Sequence, residues 1–284
     1  MTYAELKAQF DDRLEPLYPK EERDSLFYRL LEVITKQQRI EVALSRKQTL
    51  PTEKLDPILA ALERLANAEP LQYILGQTEF FGLQFYVSEG VLIPRPETED
   101  LVSWIIQDEG QPSTSKKVLD VGTGSGCIAI SLAVRCPAMQ MHALDISPRA
   151  LEVARQNAQR NKVEIKFLED DLFELQSLGE SYDVIVSNPP YVRVQDQEHM
   201  HQNVMAYEPH SALFVSDEDP LRYYRQLAQL ARQSLAEDGA LYLEINEYLG
   251  AETVALLREH GFSRVELRQD MFGKDRMIKA KFHE

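Results

Sequence analysis

Two spacings of apolar residues divide the chain of 284 residues. Through residues 1–75 they recur at helical intervals, as in the stripe Leu26, Leu30, Val33 and Ile34, and strand-like alternation is absent. This spacing predicts short helices near 3–16, 20–36, 39–46, 52–66 and 69–75, broken near Pro19, Gln37 and Pro51. Beyond them, 77–88 reads as a hairpin turning at Gly82 and Leu83. The pattern then changes to short apolar runs near 117–121, 140–145, 164–168 and 182–187, separated by helical stretches near 125–135 and 148–161. Ser147 suits the N-cap of the second of these helices and Pro148 its first turn. Strands alternating with helices predict an α/β domain, a parallel sheet with helices on its faces. In doubly wound order the first and fourth strands become neighbours, and ligands bind at their carboxyl ends. Further along, a helix is predicted from Pro220 to Asp238, with Leu221, Tyr224, Leu227, Leu230 and Ala231 on its apolar face and Gly239 as its stop. A strand over Ala240 to Ile245, a helix from Ala251 to His260, and strand-like stretches at Ser263 to Arg268 and Arg276 to Phe282 complete the pattern.

The first strand of the alternating region runs into Asp120, Val121, Gly122, Thr123, Gly124, Ser125 and Gly126, and a helix follows. Such a strand, loop and helix bind nucleotides: glycines let a ligand approach the main chain, and the helix start offers N–H groups. The second strand ends in Asp145, about 20 residues beyond the glycines, where folds of this kind bind ribose hydroxyls. Spacing alone also satisfies a dinucleotide fingerprint, through Gly124, Gly126 and Ala129, so a dehydrogenase would want Asp145 equally. Asp120 ahead of the first glycine resembles the methyltransferase form of the loop, which points to S-adenosylmethionine. The third strand runs into Glu169, Asp170, Asp171, Leu172 and Phe173, resembling the acidic loop that contacts adenine in that superfamily; taken alone, these acids read as a solvated turn.

The fourth strand ends in Ser187, Asn188, Pro189, Pro190 and Tyr191. The nitrogen of an amide or aromatic amine is a poor nucleophile, because its lone pair is delocalised into the neighbouring π-system. An Asn side-chain oxygen and the next carbonyl can each accept one N–H of that NH2, while consecutive prolines keep the acceptors aimed and a following aromatic ring covers the flat face. By itself the run also reads as a proline-rich turn.

Together these segments resemble the release factor glutamine methyltransferase family. The resemblance extends through Glu69 to Gly76, Glu79 to Leu83, Val91 to Glu99, Tyr207 to Pro209, and Asp270, Gly273 and Arg276. It implies a Rossmann-like seven-stranded S-adenosylmethionine-dependent methyltransferase domain over 96–284. A small all-helical domain over 1–75 that helps to hold the protein substrate precedes it, joined by a β-hairpin connector over 76–95. It also implies methylation, with S-adenosylhomocysteine as product, of the side-chain amide in the Gly-Gly-Gln loop of class I peptide chain release factors. Asn188, Pro189 and Tyr191 then carry the catalytic roles, and Asn188, Pro189, Pro190 and Tyr191 bind the substrate. Asp120, Gly122, Thr123, Gly124, Ser125, Gly126, Asp145, Asp171, Leu172 and Asn188 surround the cofactor. Two departures stand out: Ala68 and Asn246 occupy positions where the family commonly has glycine.

Charge narrows the substrate class. Residues 1–75 carry 11 basic and 13 acidic side chains and residues 76–284 carry 20 and 33, so nearly all of the net charge of −15 lies in the catalytic part. An acidic body without Lys/Arg runs repels phosphate backbones, which disfavours a DNA adenine-amino methyltransferase; a ribosomal-protein glutamine methyltransferase is the other alternative. Cys127 and Cys136 suggest reduced thiols in one helix of a cytoplasmic protein. The pair His199 and His201 lacks ligand spacing for a metal, so no metal is expected. No apolar run is long enough to cross a bilayer, and a monomer is expected.

Overall fold

Residues 1–111 and 115–283 are described by a computed structural model of the chain. Its first part is helical: α1 (Tyr3–Leu14), α2 (Lys20–Thr35), α3 (Arg39–Leu44), α4 (Thr52–Ala66) and α5 (Leu71–Leu75). Thr2 caps α1 in a reciprocal box with Glu5. The apolar stripes close on one another, burying Leu6, Phe10, Phe27, Leu30, Leu31, Ile58 and Leu62 in a single core. Two compact units result, one formed by Met1–Gly76 with His201–Tyr207, the other by Gln77–Met200 with the chain from Glu208 onward.

The second unit begins with the hairpin β1 (Gln77–Phe80) and β2 (Leu83–Tyr86), followed by α6 (Pro96–Glu109). Then come β3 (Lys117–Val121), α7 (Cys127–Arg135), β4 (Gln140–Asp145), α8 (Pro148–Asn161), β5 (Lys166–Glu169) and β6 (Tyr182–Ser187). A short strand β7 (Val192–Arg193) pairs with β8 (Phe214–Val215), with α9 (Gln202–Tyr207) and α10 (His210–Leu213) between them in sequence. The chain ends through α11 (Arg222–Ser234), β9 (Leu235–Glu244), α12 (Gly250–Glu259), β10 (Arg264–Gln269) and β11 (Asp275–Lys281). Seven strands form one sheet in the order β10-β11-β9-β6-β3-β4-β5, with β11 antiparallel to both its neighbours and the rest parallel. The fold is the Rossmann-like seven-stranded sheet that the resemblance implies, and the first and fourth strands of the alternating series, β3 and β6, lie side by side as the doubly wound order predicts.

Strand periodicity sorts the core into two layers. Val118, Val184, Val186, Ala240 and Tyr242 pack with Trp104, Ile105, Ala129 and Leu132 on the face covered by α6 and α7. Their strand neighbours Leu119, Ile185, Leu241 and Leu243 pack with Tyr224, Leu227, Ala231 and Leu257 under α11 and α12. Each such fully buried aliphatic side chain contributes roughly 1.5–3 kcal/mol.

Three expectations are corrected. The helix predicted to Asp238 stops at Ser234, and Leu235 already pairs with Tyr182. The register then jumps to Val184 with Ala240, so Ala236–Gly239 form a bulge within β9, tight enough that a Cβ on Gly239 would sit 3.0 Å from the Ala236 carbonyl oxygen. Gly239 therefore serves a bulge rather than a helix end. The strand placed at 164–168 starts at Lys166, and Cys136 caps α7 instead of lying within it. Both cysteines are free. Among the described residues no helix is long and apolar enough to cross a membrane, and no cluster of three His, Cys, Asp or Glu side chains could hold a metal; the side chain of His199 lies outside them.

Candidate active site

The carboxyl ends of the parallel strands finish at one level. Val121 is in register with Leu144 and Ser187, Leu144 with Leu168, and Ser187 with Leu243. Adjacent strands lie about 5 Å apart. The next residue along each strand is therefore part of one cluster: Gly122, Asp145, Asn188 and Glu244, with the Asp170–Leu172 loop beyond Glu169.

On the β3 side, backbone pins hold the glycine loop. Gly122 and Thr123 both donate to the Leu144 carbonyl, at 2.8 and 3.0 Å, and Gly124 donates to Asp145 Oδ2 at 2.8 Å. Asp145 Oδ1 accepts from Ser147 N, which fixes the start of α8. Gly122 and Gly124 have φ of +72° and +55°, and a Cβ on either would meet nothing within 4 Å, so the loop presents an open face of main chain. Gly126 caps the start of α7, and Ser125 is buried, its carbonyl held by the Asn157 amide, which also grips the Tyr86 backbone. The Asp170–Leu172 loop hangs on the same strand end: Asp170 N donates to the Asp145 carbonyl, Asp171 Oδ1 caps Phe173 N, and the Leu172 carbonyl is held by Gln226.

Asp120 carries the most unusual electrostatics of this side. Thr123 Oγ1 donates to its Oδ2 at 2.7 Å and Ala129 N does so at 3.3 Å, but Oδ1 is buried with no partner among the described residues. Burial pushes its carboxyl up to about 7, with the Asp145 charge adding to the rise. Burial also raises Asp145. Two buried acids, one with an orphaned oxygen, suit a ligand that brings positive charge and hydroxyl donors. A pyrophosphate would meet repulsion here.

The acceptor side is a chain of side-chain bonds. Ser187 Oγ donates to the Val121 carbonyl at 2.7 Å, tying β6 to the loop strand. Asn188 Nδ2 then donates to Thr98 Oγ1 at 3.2 Å, and Thr98 donates to Glu244 Oε2 at 2.6 Å. Tyr191 Oη donates to the other oxygen, Oε1, at 2.9 Å. Its carbonyl accepts from Asn246 Nδ2 at 2.9 Å. Pro189 is buried, and Asn188, Pro190 and Tyr191 are partly exposed. Burial, with the Glu244 charge beside it, holds the Tyr191 phenol well above its usual range, so it remains a donor. Arg276 donates to the Ile245 carbonyl and to Asp270 and reaches Tyr191 Oη at 3.5 Å. Glu208, almost wholly buried, accepts from Ile93 N and pairs with Arg95 at 2.7 Å, which sets the entry into the helix that carries Thr98.

The structure thus brings Asp120, the glycine loop, Asp145, Asp171, Leu172 and Asn188 to one strand edge, and turns the Asn188 Oδ1 away from Thr98. Sequence reading assigned no role to Thr98, Glu208, Glu244 or Asn246. Glu244 could have been found from one signal: an acid closing an otherwise apolar buried strand must be partnered. Asn246, one of the two departures from the family pattern, holds the Tyr191 backbone.

Residues 5–76 match the family model of the PrmC N-terminal domain and residues 98–216 that of the Methyltransferase small domain. Among solved structures, the hMettl16 catalytic domain in complex with an MAT2A 3'UTR hairpin superposes with a TM-score of 0.58 at 18% identity, covering 81% of this chain and 83% of that one, a likeness of fold alone. The release factor glutamine methyltransferase of Bacteroides thetaiotaomicron is 39% identical over 97% of this chain and 98% of its own length. That of Flavobacterium psychrophilum is 46% identical over 97% and 98%. With such identity across both chains from end to end, and with both domains matched in order, the chain belongs to the release factor glutamine methyltransferase family.

Proposed function

We propose that the chain transfers a methyl group from S-adenosylmethionine to the side-chain amide nitrogen of the Gly-Gly-Gln glutamine in class I peptide chain release factors, acting in the cytoplasm. The observation that carries this reading is the placement of Asn188 one residue past the register partner of Val121, on the strand next to the one that opens into the glycine loop, with its Nδ2 rather than its Oδ1 given to Thr98. Membership of the family supplies the substrate class.

In this reading Asp120 would attract the cofactor ammonium, Asp145 would accept from its ribose hydroxyls, and Asp171 and Leu172 would flank its adenine. Bound S-adenosylmethionine would supply an electrophilic methyl group on a sulfonium sulfur, with S-adenosylhomocysteine as the leaving group. Asn188 Oδ1 and the Pro189 carbonyl each accept one N–H of the glutamine NH2, holding the nitrogen with its lone pair free for in-line attack. Tyr191, pinned at its hydroxyl by Glu244, covers the amide plane, and Pro190 fixes the loop. Orientation and fixed dipoles provide the acceleration, and the proton leaves once the nitrogen has become cationic. The domain limits in this reading are 1–75 for a helical domain that holds the release factor, 76–95 for the connector and 96–284 for the catalytic domain.

The test is incubation with labelled S-adenosylmethionine and unmethylated release factor, either wild type or with the Gly-Gly-Gln glutamine replaced. Label on the wild-type factor alone is expected. Label on neither, with the cofactor bound, would redirect the search to ribosomal proteins and nucleic acid.

A further inference from the structure

A carboxylate can only accept hydrogen bonds, and a hydroxyl has one proton to give. These two facts set a direction along the chain from Glu244 to Asn188. With Glu244 ionised, Oε2 takes the Thr98 proton and Oε1 takes that of Tyr191. Thr98 then has only lone pairs to offer Asn188, and Asn188 answers with its NH2. Its Oδ1 is thereby turned from Thr98 and left to accept an N–H from the substrate.

Protonation of Glu244 reverses the chain. A proton on Oε1 would leave the Tyr191 hydroxyl with no acceptor among the described hydrogen bonds. A proton on Oε2 is instead accepted by Thr98, whose own proton is freed for Asn188. Asn188 must then flip to receive it on Oδ1, and its NH2 faces the substrate NH2, donor against donor. We propose that Glu244, acting through Thr98, is a positioning residue that decides which end of the Asn188 amide faces the acceptor nitrogen, so that methyl transfer requires Glu244 as the carboxylate.

The surroundings bring this equilibrium within reach. Glu244 has no exposed surface. Burial pushes its carboxyl up to about 7, and Glu97 adds to the rise, while bonds from Thr98 and Tyr191 and the Arg276 charge oppose it. The other titratable groups that face it are Tyr224 on α11 and Cys127 on α7, both held protonated by burial, and Asp270 pairs with Arg276.

The inference rests on the reading of Asn188 as the residue that holds the acceptor amide. Single-turnover methyl transfer at saturating S-adenosylmethionine and saturating unmethylated release factor, measured from acid to alkaline pH, tests it in the full chain. Wild type is expected to lose rate about tenfold per pH unit on the acid side of the Glu244 titration. Thr98→Val, which keeps shape but removes the relay, should lower the plateau rate about 100-fold, the scale for a misaimed reacting group, and abolish the Glu244-dependent acid limb. Thr98→Ser should restore both, Glu244→Gln should remove the acid limb, and the cofactor dissociation constant of Thr98→Val should match wild type. A Thr98→Val enzyme with the wild-type plateau and acid limb overturns the inference while leaving the acceptor reading intact. A wild-type enzyme that labels no glutamine removes that reading, and the inference with it.

Discussion

The two sides of the site are built by different rules. On the cofactor side, Asp120 is bound by residues three and nine positions on, and Gly126 closes onto Thr123. On the acceptor side, Asn188 meets Thr98 across 90 positions, Tyr191 meets Glu244 across 53, and Thr98 meets Glu244 across 146. A site made of local contacts can be written as a motif, whereas one made of distant contacts exists only once the sheet has formed. The difference also implies that the two sides can be damaged separately, and this separability is open to test.

The largest effect is expected at Asn188. Asn188→Ala removes the amide acceptor and should lower turnover about 10²–10³-fold, the usual cost of one preorganised polar group in a transition state. The cofactor dissociation constant, measured by calorimetry, should change little. Equal loss of turnover and cofactor affinity would mean that the two sides form one unit.

Asp145→Ala is the converse. Loss of charge-assisted bonds worth about 1.5–3 kcal/mol should raise the cofactor dissociation constant roughly 10- to 100-fold, with single-turnover rate restored at saturation. Unchanged cofactor binding would remove Asp145 from the ribose role.

Asp120 predicts a pH dependence on the cofactor side alone. Its carboxyl is raised by burial to about 7, and the ionised form is the one that attracts an ammonium. Cofactor affinity should therefore climb with pH, by up to about tenfold per unit below that value, and level off above it. Asp120→Asn should give a flat and weaker profile. A wild-type profile that falls as pH rises would contradict the ammonium contact.

How much was legible in the sequence follows the same division. Strand order, the glycine loop, Asp145 and the Asn188 loop were readable because apolar periodicity and short motifs record contacts between near neighbours. Glu244 and Thr98 were visible as letters in longer motifs, but their partnership depends on β9 lying beside β6 with α6 above, which no local spacing encodes. The end of α11 was misplaced for a related reason. Gly239 looks like a helix stop, yet Leu235 is drawn into the sheet by pairing with Tyr182, and the glycine is spent on the bulge. Tertiary pairing overrode a local signal.

The smallest effect lies in the helical unit, at a residue where local geometry and sequence disagree. Ala68 follows the C-cap of α4 with φ of +62°, closing the helix end through Ala68 N to the Leu65 carbonyl and Glu69 N to the Arg64 carbonyl. Left-handed backbone at this position favours glycine, because a Cβ there costs roughly 1–2 kcal/mol. Glycine loses about 0.5–1 kcal/mol of chain entropy in return. Ala68→Gly should therefore stabilise the protein by about 0.5–1 kcal/mol in denaturant unfolding of the full chain, with turnover and cofactor affinity unchanged. A destabilised variant would show that contacts of the buried Ala68 methyl outweigh its backbone strain. In that case a residue at a locally defined position would be held there by packing, and the division between local and distant rules would fail where it is simplest.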